Sequence, residues 1–150
     1  MNSIRKITIG IALLSLAITS WGAVPDGWTS DYEEATATAE TEDRLVLLMF
    51  TGSDWCVWCK RVHQEILDTP VFMEWAKENL VLVYVDFPRK DYRTAKVKEQ
   101  NDSLDKQYDV SGYPTMVLTD PAGEELKRLS YMQGGPKTFI RAIQRARKGR

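Results

Sequence analysis

Cys56 and Cys59 stand in the run Trp55-Cys56-Val57-Trp58-Cys59-Lys60 and are the only two cysteines of the 150-residue chain. A pair separated by two residues suits thiol–disulfide exchange, in which one thiolate attacks a disulfide and its neighbour completes the transfer. An apolar run, Leu45 to Phe50, leads in through the turn Thr51-Gly52-Ser53-Asp54, and Lys60 to Leu67 reads as a helix. Cys56 therefore falls where a strand and turn give way to a helix start. Unpaired backbone N–H groups and the positive end of the helix dipole favour a thiolate there.

Three other uses of the pair compete with redox chemistry. A purely structural disulfide closing so short a loop stabilises a fold by only about 2 kcal/mol, less than a longer loop gives. Half of a zinc site is the second, but zinc wants four ligands and the chain adds only one histidine, His63. Two inert core thiols are the third, and the Gly/Ser/Asp turn with Lys60-Arg61 alongside does not describe a core.

The elements that must position the pair follow from pattern. Asp31, Ser30 or Thr29 can cap a helix through about Glu40, with Trp28, Tyr32, Ala35 and Ala39 at helical spacing. Leu45 to Phe50 runs apolar without alternation, the mark of a strand covered on both faces, and Leu80 to Asp86 is a second buried strand. Between them the helix after the cysteines carries Cys59, Val62 and Ile66 on one face. Asp68-Thr69-Pro70 interrupts it, and Pro70 opens a further helix to about Asn79. Two such strands with a helical crossover form a parallel βαβ unit.

Asp91 to Tyr108 is charged and lysine-rich and is expected to be helical, in one or two parts, with Asn101-Asp102-Ser103 as a solvated turn. Thr115 to Thr119 and Glu125 to Tyr131 form an antiparallel hairpin about Asp120-Pro121-Ala122-Gly123. Gly134-Gly135-Pro136 starts a last helix with Phe139, Ile140 and Ile143 on one side, and its arginines and lysines read as a solvated face.

The N-terminus reads as a signal peptide over residues 1–22, followed by one domain over residues 23–150. Arg5 and Lys6 precede the apolar stretch Ile7 to Ile18, which is short for a bilayer span, and Ser20-Trp21-Gly22 places cleavage after Gly22. The alternative is an uncleaved N-terminal anchor. The chain carries 20 basic and 21 acidic residues; without Arg5 and Lys6 the balance is 18 against 21, a net of −3. That charge gives no reason to expect nucleic acid as a partner. Export, periplasmic or secreted, implies an oxidising compartment, where two cysteines this close are not a framework of staples.

The order of these elements resembles the thioredoxin fold, an α/β architecture with a central mixed β-sheet flanked by helices on both faces. Three features carry the resemblance: the Trp55-Cys56 to Cys59-Lys60 motif after a buried strand, the run Gln107-Tyr108-Asp109-Val110-Ser111-Gly112-Tyr113-Pro114-Thr115, and Gly134 after the hairpin. The approach Thr51 to Cys56 and the break at Asp68-Thr69-Pro70-Val71 look like exported bacterial thioredoxin-like proteins. The resemblance implies that Cys56 is the exposed attacking cysteine and Cys59 the more buried resolving one, a redox-active disulfide. It makes Pro114 the cis-proline facing the pair; lacking an N–H, Pro114 leaves the Tyr113 backbone free to pair with an extended substrate segment. Trp55 and Trp58 would then form an apolar rim for peptide-like partners.

The activity so implied is an exported thiol–disulfide oxidoreductase that reduces protein or peptide disulfides and is itself re-reduced by another thiol donor. No flavin, nicotinamide or metal motif is present, so no cofactor beyond the cysteines is expected. A monomer is expected, with no stable membrane insertion after processing. The alternatives are an oxidase or isomerase direction of the same chemistry, or a client-binding module whose cysteines stay locked as a disulfide.

Two departures from the family pattern bear on mechanism. The buried acid that thioredoxins carry on the strand before the motif falls here at about Met49, and Leu45 to Phe50 holds no charge. Proton transfer from Cys59 then needs water, Asp54 or Asp86; His63, one turn beyond Cys59, could help but is expected to be exposed. Val57-Trp58 between the cysteines offers no imidazole to stabilise a Cys56 thiolate, which favours a reductase over a strong oxidant.

Overall fold

The computed structural model describes residues 24–149, so the segment 1–22 read as a signal peptide lies outside the described residues. In chain order the elements are β1 (Trp28–Thr29), α1 (Tyr32–Thr41), β2 (Leu45–Thr51), α2 (Val57–Val62), a π-helical turn (His63–Leu67), α3 (Pro70–Asn79) and β3 (Leu80–Asp86). There follow α4 (Ala95–Gln107), β4 (Thr115–Thr119), β5 (Glu125–Leu129) and α5 (Gly135–Lys148). The five strands form one mixed sheet in the order β1-β3-β2-β4-β5. β2 runs parallel to β3 and antiparallel to β4, so it is central and hydrogen-bonded on both sides.

The unbroken apolar run of β2 is explained by its two covered faces, because every residue from Leu45 to Thr51 is buried. Leu45, Leu47 and Met49 enter a core shared with α2, α3 and α5, where Val62, Phe72 and Phe139 are fully enclosed. Val46, Leu48 and Phe50 enter the opposite core, closed by Ala35 and Ala39 of α1 and by Leu104 and Tyr108 at the end of α4. Period-two alternation thus survives in β2, with both of its faces apolar. The outcome is the thioredoxin fold, a mixed sheet between helices.

Helix starts fall at side-chain caps. Asp31 accepts from Glu34 N at 3.1 Å, Thr69 from Phe72 N at 3.3 Å, and Thr94 from Val97 N at 3.3 Å. Pro70 occupies the first turn of α3, as its fixed φ and missing N–H allow. Gly134 turns into α5 at φ +100°, where a β-carbon would also meet the Thr138 hydroxyl at 2.6 Å.

Four local expectations are corrected. Trp28 does not extend α1; it lies in β1, paired with Leu82 of β3 and 8% exposed, because the helix cannot begin before its Asp31 cap. The helix expected from Asp91 starts only at Ala95, after a segment tied down by its own side chains. The helix after the cysteines starts at Val57, not Lys60. Asn101 is not a solvated turn: it is fully buried within α4 and donates to the Asp86 carbonyl at 3.1 Å.

Candidate active site

Cys56 ends the turn after β2 and caps α2. Its sulfur accepts the Cys59 backbone N–H at 3.1 Å, and the two cysteines form a disulfide with Cα atoms 5.2 Å apart. The turn is held from both directions. Cys56 N donates to the Gly52 carbonyl at 2.8 Å, while Ser53 donates its N–H and hydroxyl to the two Asp86 oxygens at 2.9 and 2.6 Å. The Trp55 ring lies so close over Gly52 that a β-carbon there would sit 2.3 Å from it. A glycine at position 52 is therefore a packing requirement of Trp55.

Cys59 is 1% exposed and Cys56 6%. The order matches the expectation that Cys59 is the deeper one, but Cys56 is shallowly buried rather than exposed. Around it stands an aromatic rim. Trp55 is 36% exposed, donates its indole N–H to the Phe87 carbonyl at 2.9 Å and meets Tyr113 edge-on with ring centres 5.8 Å apart. Trp58 is 52% exposed and leans on Tyr131 at 5.4 Å, with the Arg61 guanidinium over both rings. Glu65 fixes that cluster, accepting from Arg61 at 2.7 Å and from the Tyr131 hydroxyl at 2.5 Å. Sequence pattern does not mark Arg61, Glu65 and Tyr131 as one cluster; the one local signal available is the four-residue spacing of Arg61 and Glu65 on a helix.

Tyr113 is half-buried and stacks on Phe87 with centres 5.4 Å apart, and Pro114 is buried. The Tyr113–Pro114 peptide is cis. Thus Trp55 and Tyr113 are brought together, whereas Trp58 belongs to a second cluster on the α2 side.

The groups weighed for the Cys59 proton are distributed unexpectedly. Asp54 is on the surface, its carboxyl held below the usual range by the Lys90 and Arg89 backbone N–H groups, each at 3.0 Å. Asp86 is 4% exposed and engaged by Ser53 and by the Tyr92 hydroxyl. Met49 is fully buried opposite Tyr84 of β3, with no carboxylate on its strand. His63 corrects the expectation of an exposed imidazole: it is 9% exposed, its ring lies 5.8 Å from Trp28 and 5.7 Å from Tyr84, and its Nδ1 is 2.8 Å from Asp68 Oδ1. Its burial comes from β1 and β3, which no helical pattern reveals.

A thioredoxin-like domain model matches residues 32–146, which spans both cysteines, Tyr113 and Pro114. The chain belongs to the thioredoxin-like family. Its curated relatives include the disulfide bond reductase DsbH of Chlamydia pneumoniae, 35% identical over 81% of this chain and 72% of that protein. The thioredoxin-related protein DsbJ of the same organism is 26% identical over 68% of this chain, which spans only 29% of that relative. A solved DsbH oxidoreductase structure superposes with a TM-score of 0.79 at 31% identity, covering 100% of this chain and 96% of the other. This thioredoxin-like chain, with its Cys56–Cys59 pair, is a thiol–disulfide oxidoreductase, and its substrates are thiols or disulfides.

Proposed function

We propose that this protein is exported and works as a reductase of protein or peptide disulfides. Cys56 attacks a client disulfide, and Cys59 displaces the reduced client from the resulting mixed disulfide. The observation that carries this reading is the depth order of the pair, a shallow Cys56 at a helix start with Cys59 beneath it, beside the exposed rings of Trp55 and Trp58. Trp55, Trp58, Tyr113 and Pro114 serve as the client-binding surface. Two features favour the reducing direction: no imidazole lies between the cysteines, and the relative of 35% identity is itself named a disulfide bond reductase. The protein is re-reduced by a separate thiol donor.

Insulin reduction with dithiothreitol tests the activity. Wild type accelerates it, Cys56→Ser does not, and Cys59→Ser accumulates a mixed disulfide on Cys56. Wild type that binds peptide yet leaves insulin intact would instead make the pair a locked disulfide in a holding module. Export is tested separately. Residues 1–22 act as a signal peptide, so N-terminal sequencing of the exported protein starts at Ala23; an intact Met1 in a cytoplasmic fraction removes the export claim.

A further inference from the structure

A thiol as deeply buried as Cys59 must lose a proton before it can attack, and the sites considered for taking that proton are absent or engaged. Met49 stands where a carboxylate would serve, Asp54 is spent on the 89–90 backbone, and Asp86 holds Ser53 and Tyr92. Beside Cys59, however, lies a crevice of about 260 Å³, and Thr51, Lys60, His63, Asp68 and Tyr84 contribute to its wall.

The wall mixes apolar and polar surface and opens to solvent, and the residues at its base are buried: Thr51 is 1% exposed, Tyr84 7% and His63 9%. His63 Nε2 is buried without a protein partner. A buried polar atom left unpaired beside a crevice is a setting in which ordered water is held. Cys59 and His63 are four residues apart and so share one side of the helix, and the His63 N–H donates to the Cys59 carbonyl.

The charged and titratable groups around the imidazole come from every element packed against it. Asp68, on the turn that follows, binds Nδ1; Lys60, on its own helix, is exposed and donates to the Asp54 carbonyl at 3.3 Å. From β3 comes Tyr84, whose phenol burial pushes well above its usual range, with the Asp86 carboxylate adding to the effect. Trp28 of β1 is neutral. Tyr84 therefore stays protonated and is no base. That leaves the imidazole, whose Nδ1 is 2.8 Å from Asp68 Oδ1; in the tautomer that donates Nδ1–H to this carboxylate, Nε2 carries the lone pair, an arrangement that orients a general base.

We propose that the Asp68–His63 pair accepts the Cys59 proton, through water in this crevice, during resolution of the mixed disulfide. The proposal rests on the reading that Cys56 attacks and Cys59 resolves. In the step, the Cys59 S–H bond breaks and its proton passes by water to His63 Nε2. The thiolate attacks Cys56 Sγ, the Cys56–Cys59 bond forms, and the bond from Cys56 to the client sulfur breaks. The client leaves with the electron pair as a thiolate, two electrons having passed from the dithiol to the client disulfide. The imidazolium then returns its proton to solvent. His63 acts through water on Cys59 and is thus a positioning residue for the proton, not a nucleophile.

Stopped-flow decay of a mixed disulfide with a cystine-bridged peptide, recorded from pH 5 to 9, tests this in the mature chain. In wild type the resolving rate rises through a step with pH, as the base that takes the Cys59 proton is freed. His63→Gln abolishes the step and slows resolution by roughly a hundredfold or more, the range of general-base effects. The attack rate, measured in a Cys59→Ser background, is unchanged by His63→Gln. Asp68→Asn, at a half-exposed side chain, slows resolution by a smaller factor. Resolution with the wild-type rate and profile in His63→Gln overturns the proposal, as does a fall in attack equal to the fall in resolution. Should His63→Gln fail to fold, an unchanged resolving rate in Asp68→Asn overturns it alone. A protein that forms no mixed disulfide on Cys56 removes the reading that Cys56 attacks together with this one, whereas normal resolution without His63 removes only this one.

Discussion

At the residue scale, Asp86 shows how one buried carboxylate sets the turn that presents Cys56. It takes the Ser53 N–H and hydroxyl and the Tyr92 hydroxyl, joining the end of β3 to the turn after β2. Asp86→Ala leaves those donors without their acceptor, and the expected loss is about 1–3 kcal/mol per buried unsatisfied group at most; urea unfolding measures it. Trp58 gives a functional counterpart. Its ring is exposed while Arg61 and Tyr131 brace it, so Trp58→Ala should slow exchange with a peptide disulfide by roughly fivefold, about 1 kcal/mol. Exchange with a small disulfide such as cystine should be unchanged, and an equal fall for both would deny Trp58 a part in client binding. The cysteines were legible because their chemistry resides in a local motif. His63 and Asn101 were not, since the surfaces that bury them, β1 and β3 for one and the end of β3 for the other, are distant in sequence.

At the scale of elements, the segment from Phe87 to Thr94 is the part that pattern could not resolve, because its order comes from side chains binding backbone. Asp54 accepts from Arg89 N and Lys90 N, Arg93 reaches back to the Asp86 carbonyl at 2.8 Å, and Asp91 pairs with Arg93 and Lys98. Those contacts hold the Asp54 and Asp91 carboxyls below the usual range, through the Lys90 N–H for the first and the Arg93 side chain for the second. A folded-state value that is depressed means that the carboxylates support the segment fully above their unfolded range, about pH 4. The support fades as pH falls through the lower folded values. Hydrogen exchange at Arg89 and Lys90, corrected for intrinsic rates, should therefore accelerate below about pH 4 before global unfolding, and unchanged protection there would contradict it. By contrast α3 and β3 were legible almost to the residue: the break at Asp68-Thr69, Pro70 in the first turn and a two-faced apolar strand are local signals.

For the molecule as a whole, stability rests on two cores divided by β2, and the one beneath the cysteines depends on the last helix. Phe139 of α5 is fully buried and packs edge-on against Phe72 of α3 at 5.8 Å. Phe139→Ala should cost about 3–5 kcal/mol, visible as a lower denaturation midpoint with little change in the denaturant slope. The sheet that separates these cores ends in two unlike borders. β1 pairs along only two residues of β3, and β5 carries Glu125, Lys127 and Arg128 on its short length. An extended polypeptide laid along β1 finds almost no backbone to join, and along β5 it meets charge of both signs. Both borders thus offer a passing strand little to pair with, the arrangement by which sheet edges avoid templating aggregation.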